Sequence, residues 1–264
     1  MTRPYVFGSN FKMNQTPIES AEFYRELAAS IEIPPDARVF IIPPFTSLAS
    51  VAEVAADRSG NFWLAAQNIH WAAEGAFTGE ISARMLQALG VDLVLIGHAE
   101  RRQHFHEGDV DLNRKVMAAL GAGLRVLLAI GETAEERGYG VSDETVLRQL
   151  KIGLHGVTRN QLDRLTLGYE PVWSIGAGGT PATPSDVEPI AAVMRGALGK
   201  RFGNSGQDVP ILYGGSVSPD NAGSFTSLTD IDGLFVGRAA WAVDGFIATF
   251  DAGLVGYRAK STGS

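Results

Sequence analysis

From one end to the other, the chain alternates short apolar runs with longer stretches of helical periodicity. The runs that read as strands are Tyr5–Ser9, Arg38–Ile42, Phe62–Ala66, Leu93–Ile96, Arg125–Ile130, Leu165–Tyr169, Pro210–Tyr213 and Gly233–Val236. Each is nearly unbroken in apolar residues, as expected of strands buried on both faces. Between them, Ile18, Phe23, Leu27 and Ile31 fall near one face of a helix, and Val146, Leu150, Ile152 and Leu154 mark another. Eight strand-then-helix units follow one another, with no Pro/Gly/Ser-rich linker and no shift of composition. Such an alternation over 264 residues predicts an α/β chain folded as a single-domain parallel (β/α)8 barrel spanning residues 1–264. The rival is a doubly wound open sheet, which usually carries a G-x-G-x-x-G turn after its first strand; that turn is missing here. The polar tail RAKSTGS, residues 258–264, is expected to be disordered.

Composition narrows the function classes. The formal net charge of −7 argues against nucleic acid or an anionic membrane as the main partner, while leaving room for a local positive pocket. The chain has no cysteine, so disulfides and thiolate chemistry are excluded and a cytoplasmic location is the simple reading. No apolar run approaches the roughly 20 residues of a spanning helix, and the opening MTRPYVFGSN has no leader-like pattern.

In such barrels the chemistry sits where strands end and βα loops begin. The polar residues found there are Asn10 and Lys12 after the first strand, Gln67 and Asn68 after the third, and His98, Glu100 and Arg101 after the fourth. Glu132 follows the fifth, Glu170 the sixth, Gly214-Gly215-Ser216 the seventh and Gly237-Arg238 the eighth. The set has no His/carboxylate cluster at metal-ligand spacing, no Gly-x-Ser-x-Gly elbow and no Walker lysine. A lysine near a strand end is commonly a solvated charge, but Lys12 stands between Phe11 and Met13, which suggests an inward site. His98, at the start of the next helix, is either a structural histidine or a neutral ring able to donate to a carbonyl oxygen, since the positive helix end disfavours imidazolium. Glu100, Arg101, Glu107 and Glu132 read as supporting or ion-pair residues. Glu170, flanked by Tyr169 and Pro171-Val172-Trp173, is expected to be desolvated, which suits a general base. Gly176, Gly178 and Gly179 supply a segment whose N–H groups could wrap a phosphate, and the Gly214-Gly215-Ser216 and Gly237 turns supply further donors.

Several stretches together resemble the triosephosphate isomerase family: Asn10-Phe11-Lys12-Met13, Ala66-Gln67-Asn68, Gly75 to Glu80, Ile96 to Arg102, Ile130 to Thr133, Tyr169-Glu170-Pro171-Val172-Trp173, Tyr213 to Val217 and Phe235-Val236-Gly237. The resemblance implies a TIM barrel that isomerises a small phosphorylated sugar without metal or cofactor. It implies Glu170 as base, neutral His98 polarising the carbonyl, and Lys12 supplying positive charge, all three catalytic. Substrate binding falls to Asn10, Gly176, Gly215, Ser216, Gly237 and Arg238, with Glu100 and Arg101 in support. A lid over about Pro171 to Ala182 and a homodimer through the Asn68–Gly79 loop, with Trp71 and Phe77 at its surface, are implied as well.

The chain departs from the family pattern at four places. Ala99 stands for the usual serine, Gly179 for the usual lid lysine, the Thr180–Pro184 hinge looks one residue longer, and Gly237-Arg238 replaces a Gly-Gly pair. The Gly-Arg-x-Ala-Trp pattern, the His70-Trp71 pair and the lid Pro-Ala are similar to the erythrulose-phosphate isomerase branch, whereas Asn10 follows the triose pattern. The leading expectation is triosephosphate isomerase activity. The alternative is L-erythrulose-1-phosphate isomerisation by the same proton transfer, and the more remote one is a non-catalytic phosphosugar-binding barrel.

Overall fold

The computed structural model describes residues 3–176 and 179–262. Eight strands close into one barrel in sequence order: β1 Tyr5–Asn10, β2 Ala37–Ile42, β3 Phe62–Ala66, β4 Leu93–Ile96, β5 Arg125–Ile130, β6 Leu165–Tyr169, β7 Ile211–Tyr213 and β8 Gly233–Val236. Every neighbouring pair is parallel. The helices are α1 Pro17–Ser30, α2 Phe45–Val54, α3 Ala83–Ala88, α4 Ala99–His104, α5 Asp109–Gly121, α6 Ala134–Gly138, α7 Ser142–Gly153, α8 Pro184–Phe202, α9 Asn204–Gln207, α10 Pro219–Thr226 and α11 Val243–Thr262. Among the described residues, no helix is long and apolar enough to cross a membrane.

The unbroken apolar runs have a direct cause. One side of each strand fills the barrel interior, where Val6, Phe40, Leu95, Leu127, Leu212 and Phe235 meet. The other side packs against the helices, as with Phe7, Val39, Leu64, Val126 and Leu167. The ring closes where β1 pairs with β8, from Val6 opposite Gly233 to Ser9 opposite Val236. A Cβ on Gly233 would lie 1.8 Å from the Val6 carbonyl oxygen, so the seam admits only glycine at that point.

α1 begins at a capping box in which Thr16 N–H donates to the Glu19 carboxylate at 2.7 Å, with Pro17 in the first turn. Its buried face is Ser20, Ala21, Phe23, Tyr24 and Leu27. Ile18, assigned by periodicity to that face, is 71% exposed. At about 100° per residue it sits roughly 140° around the helix from Phe23.

At the opposite end of the barrel from the βα loops, Asp232 gathers the chain termini. Its buried carboxylate accepts from Arg3 Nε at 2.7 Å, Arg195 Nη2 at 2.8 Å and the Ile211 N–H at 3.0 Å. Lys260 Nζ lies 3.6 Å away. Arg195 also donates to the Val209 carbonyl at 2.6 Å. These contacts, with Arg258 bonded to Asp36 at 3.0 Å, explain why α11 stays helical through Thr262, past the point where the tail was expected to lose order. Gly263 and Ser264 lie outside the described residues.

Replacing Asp232 by alanine strands two or three cations in a buried site, which costs about 3–5 kcal/mol. For a chain of this size the Tm of Asp232→Ala is expected to fall by roughly 10 °C in circular-dichroism melts. A fall below about 2 °C would show that the cluster does not hold the termini.

Candidate active site

At the C-terminal ends of the strands, the side chains that follow β1, β4, β6, β7 and β8 turn toward one cavity of about 540 Å³. Glu170 follows β6 directly and is fixed at the backbone by its N–H, which donates to the Ile130 carbonyl at 2.8 Å. Only 3% of the residue is exposed. Its carboxylate is nevertheless well supplied with donors: Oε2 accepts from the Ala99 N–H at 2.8 Å, and Oε1 lies 2.9 Å from His98 Nε2. The space that brings β6 close to β5 is made by Gly131. A Cβ there would be 2.1 Å from the Glu170 carbonyl oxygen.

His98 caps α4. Its Nδ1 accepts from the Glu100 N–H at 3.2 Å, so that nitrogen carries no proton. The ring proton therefore sits on Nε2 and points at Glu170. The hydrogen bond from the Glu100 N–H thus fixes the orientation of the ring, with Nε2 facing Glu170.

Lys12 reaches the cavity by a different route from the one its neighbours suggest. Phe11 is buried, but Met13 is 96% exposed, so Lys12 is not flanked by two inward residues. Its side chain turns inward because its backbone is left-handed, with φ of +54°. That conformation costs a non-glycine residue on the order of 1 kcal/mol. It is held on both sides: Lys12 N–H donates to Asn10 Oδ1 at 2.9 Å, and Gln67 Nε2 donates to the Lys12 carbonyl at 2.7 Å. The ammonium donates to Glu100 Oε1 at 2.7 Å. Burial alone would raise the Glu100 carboxyl, but the Lys12 ammonium holds it below the usual carboxylate range. The groups thus form a continuous sequence, Lys12–Glu100–His98–Glu170, along one side of the cavity.

The other side consists of turns. Gly176, Gly215, Ser216 and Gly237 line it, and Arg238 stands there with an exposed side chain. Among the described residues, the N–H groups of Gly215 and Gly237 find no acceptor within the protein, and Arg238 makes no side-chain hydrogen bond or ion pair. Nine of the expected binding and catalytic residues, with Glu100, therefore meet in one place. Arg101 does not. It points away to Glu107, at 2.7 Å, and lies over the Phe105 ring. Gly178 lies outside the described residues. No group of three His, Cys, Asp or Glu is placed to hold a metal ion among the described residues.

Two features were not assigned to the site from the sequence. Trp173, just after Glu170, donates its indole N–H to Glu132 at 2.7 Å and lies 3.8 Å beneath the Arg137 guanidinium. Burial pushes the Glu132 carboxyl up, against the hydrogen bonds from Trp173 and Tyr169. Arg137 in turn reaches Asp186 at 2.8 Å, and the Thr183 hydroxyl and Arg137 hold that carboxyl down at about 2. Trp241 lines the cavity and donates to the Asn10 carbonyl at 2.9 Å. No local pattern marks either bond, because each joins segments far apart in the chain.

The Asn68–Gly79 loop carries Trp71 and Phe77 at the surface, with the His70 ring 4.3 and 4.2 Å from their centroids. It borders a second cavity of about 460 Å³ with Met85 and Ala88 of α3.

The family model for triosephosphate isomerase matches residues 5–252. The chain is 45% identical over 249 residues to a triosephosphate isomerase of Carboxydothermus hydrogenoformans, covering 94% of this chain and 98% of that protein. It is 43% identical over 246 residues to an L-erythrulose-1-phosphate isomerase of Rhizobium etli, covering 91% and 89%. It is 40% identical over 247 residues to a triosephosphate isomerase of Acetivibrio thermocellus, covering 93% and 97%.

Because the atoms opposing a methyl on Gly131 are backbone, Gly131→Ala is expected to push the end of β6 outward and break the Glu170–His98 contact. Nitrogen-15 NMR of the histidine rings reads this out: an exchange-protected Nε2–H signal in the native protein should be lost in the variant. Its survival would show that the strands yield elsewhere.

Proposed function

The chain belongs to the triosephosphate isomerase family, and from that premise we propose that it interconverts D-glyceraldehyde 3-phosphate and dihydroxyacetone phosphate. The observation that carries this reading is the Glu170 carboxylate, 2.9 Å from a histidine nitrogen that bears a proton, in the same cavity as the Lys12 ammonium. The roles follow those known for the family. Glu170 swings from His98 to the substrate and takes a proton from the carbon beside the carbonyl. The Nε2–H of His98, released from Glu170, donates to the oxygen on which charge develops. Lys12 adds positive charge to that oxyanion, with Asn10 orienting the substrate. Glu170 then returns the proton to the neighbouring carbon, while the hydroxyl proton passes between the two oxygens by way of His98. The substrate phosphate sits against the N–H groups of Gly176, Gly215, Ser216 and Gly237, with Arg238 beside it. No step calls for a metal or an organic cofactor.

Ala99 bears on the swing of Glu170. Its N–H still provides the resting contact at 2.8 Å, but no side-chain hydroxyl can add a second. Fewer bonds are broken when the carboxylate moves. The segment from Pro171 to Ala182 is read as the lid that excludes water during the reaction. A homodimer through the Asn68–Gly79 loop is the proposed assembly. The exposed Trp71 and Phe77, with Met13 and Met85 also exposed, support it. The cytoplasm is the proposed location.

One observation favours a second reading. Arg238 places a guanidinium with no partner among the described residues at the cavity where the family has glycine, and the Rhizobium etli relative is named an L-erythrulose-1-phosphate isomerase. The four-carbon ketose phosphate is therefore the alternative substrate.

Steady-state assays with D-glyceraldehyde 3-phosphate and with L-erythrulose 1-phosphate test both readings. The higher kcat/KM is expected for the triose. The reverse preference establishes the second reading, and turnover of neither sugar leaves only a binding barrel. Glu170→Gln is expected to lower kcat by about a thousandfold or more. The inhibition constant for inorganic phosphate should change by less than about threefold, since the base does not hold the phosphate. Full activity in that variant rejects Glu170 as the base.

A further inference from the structure

The loop that leaves β1 carries Lys12 in its middle, between Asn10 at the strand end and the Thr16 cap of α1. Two of its residues, Lys12 with φ +54° and Gln15 with φ +67°, hold left-handed backbones without being glycine. A short loop with two such residues keeps its shape through contacts from outside rather than through its own preference. One distant residue grips it at both ends. The Trp241 indole N–H donates to the Asn10 carbonyl at 2.9 Å, and the Trp241 carbonyl accepts from Gln15 Nε2 at 3.3 Å.

Trp241 is itself well anchored. It closes the 3-10 turn Arg238–Ala240, its N–H donating to the Arg238 carbonyl at 3.3 Å, and its ring packs on the core beside the buried Ala240. The same turn also borders the Lys12 stem: a Cβ on Gly237 would lie 3.8 Å from Lys12 Cε. The turn after the last strand thus touches the Lys12 loop at its start, its end and its side chain.

We propose that Trp241 is a positioning residue for Lys12, holding the β1 loop so that the ammonium stands over the cavity. This rests on the reading of Lys12 as the cation of the reaction. Packing alone would need only the ring; positioning needs the indole N–H, which continues the β1–β8 seam beyond its last ladder pair, Ser9 with Val236.

The test is a double-mutant cycle of Trp241→Phe with Lys12→Ala, read as kcat/KM at enzyme concentrations high enough to follow the slow variants. Trp241→Phe keeps an aromatic ring and removes the donor. Alone, it is expected to lower kcat/KM about tenfold, a hydrogen bond's worth. Its Tm should stay within about 2 °C of the native value. On the Lys12→Ala background its further effect should be less than about twofold, because the group it positions is gone. Unchanged kcat/KM in the single variant overturns the proposal, and so does the same tenfold loss on both backgrounds. Should Trp241→Phe fail to fold, Gln15→Leu releases the other end of the loop and is read in the same cycle with the same criteria. If the native protein turns over neither sugar, the functional reading fails on its own, and the cycle is then read on the dissociation constant of inorganic phosphate.

Discussion

The hydrogen-bonded seam between β1 and β8 makes neighbours of residues from opposite ends of the chain. Lys12 and Asn10 leave one side of that seam, and Gly237, Arg238 and Trp241 leave the other. Closure demands a backbone approach that only glycine at 233 permits. It is reinforced at the far end by Asp232, which binds Arg3, Arg195 and the Ile211 N–H around the termini. An open sheet of the same strands would leave the Lys12 loop without the turn that flanks it. In this barrel the stability of one end and the geometry of the other share a single strand pairing.

Charge in the cavity is nearly balanced before any ligand arrives. Lys12 is bonded to Glu100, Glu170 faces Nε2 of His98, and Arg238 is the cation without a partner among the described residues. Two carboxylates and two cations sum to no net attraction for a phosphate. Attraction must then come from placement: carboxylates on one side, backbone donors and a guanidinium on the other. Preorganised N–H groups suit this, since they favour an anion without adding a charge that would draw Glu170 into an ion pair. A side chain beyond β8 in place of a second glycine shifts that balance toward a fixed charge.

The barrel was legible because burial on both faces writes itself into the strands as continuous apolar runs. All eight runs lie within one residue of the observed strands at each end, and residues that follow β1, β4, β6, β7 and β8 line one cavity. Helix faces were less legible. Four apolar residues suggested one stripe on α1, yet Ile18 falls outside it. The tail looked polar and therefore loose, but Lys260 turns to the buried Asp232 and Arg258 pairs with Asp36 at the surface. Lys12 reaches the cavity through a left-handed backbone, which cannot be read from Phe11 and Met13. Arg101 shares a short helix with Glu100 but leaves by its other face. Trp241 was read only as the end of the Gly-Arg-x-Ala-Trp pattern, because its bond to Asn10 spans 231 positions and no local spacing encodes such a contact.

The segment after Glu170 shows how such distant contacts divide labour. Its near end is pinned by Trp173, between Glu132 and Arg137. Its far end returns to the same place: the Thr180 N–H donates to the Trp173 carbonyl at 3.0 Å, and the Ala182 N–H donates to Ser174 Oγ at 3.1 Å. Ser174 in turn lies 3.5 Å from the Tyr213 hydroxyl, which burial pushes up to about 12 and so keeps as a neutral hydrogen-bonding group. The described ends of this segment are thus tied to each other by two hydrogen bonds. Arg137 extends that tie, because it stacks on Trp173 while its guanidinium holds Asp186 at the start of α8. Any movement of Trp173 away from Glu132 therefore strains a contact to the helix that follows the loop.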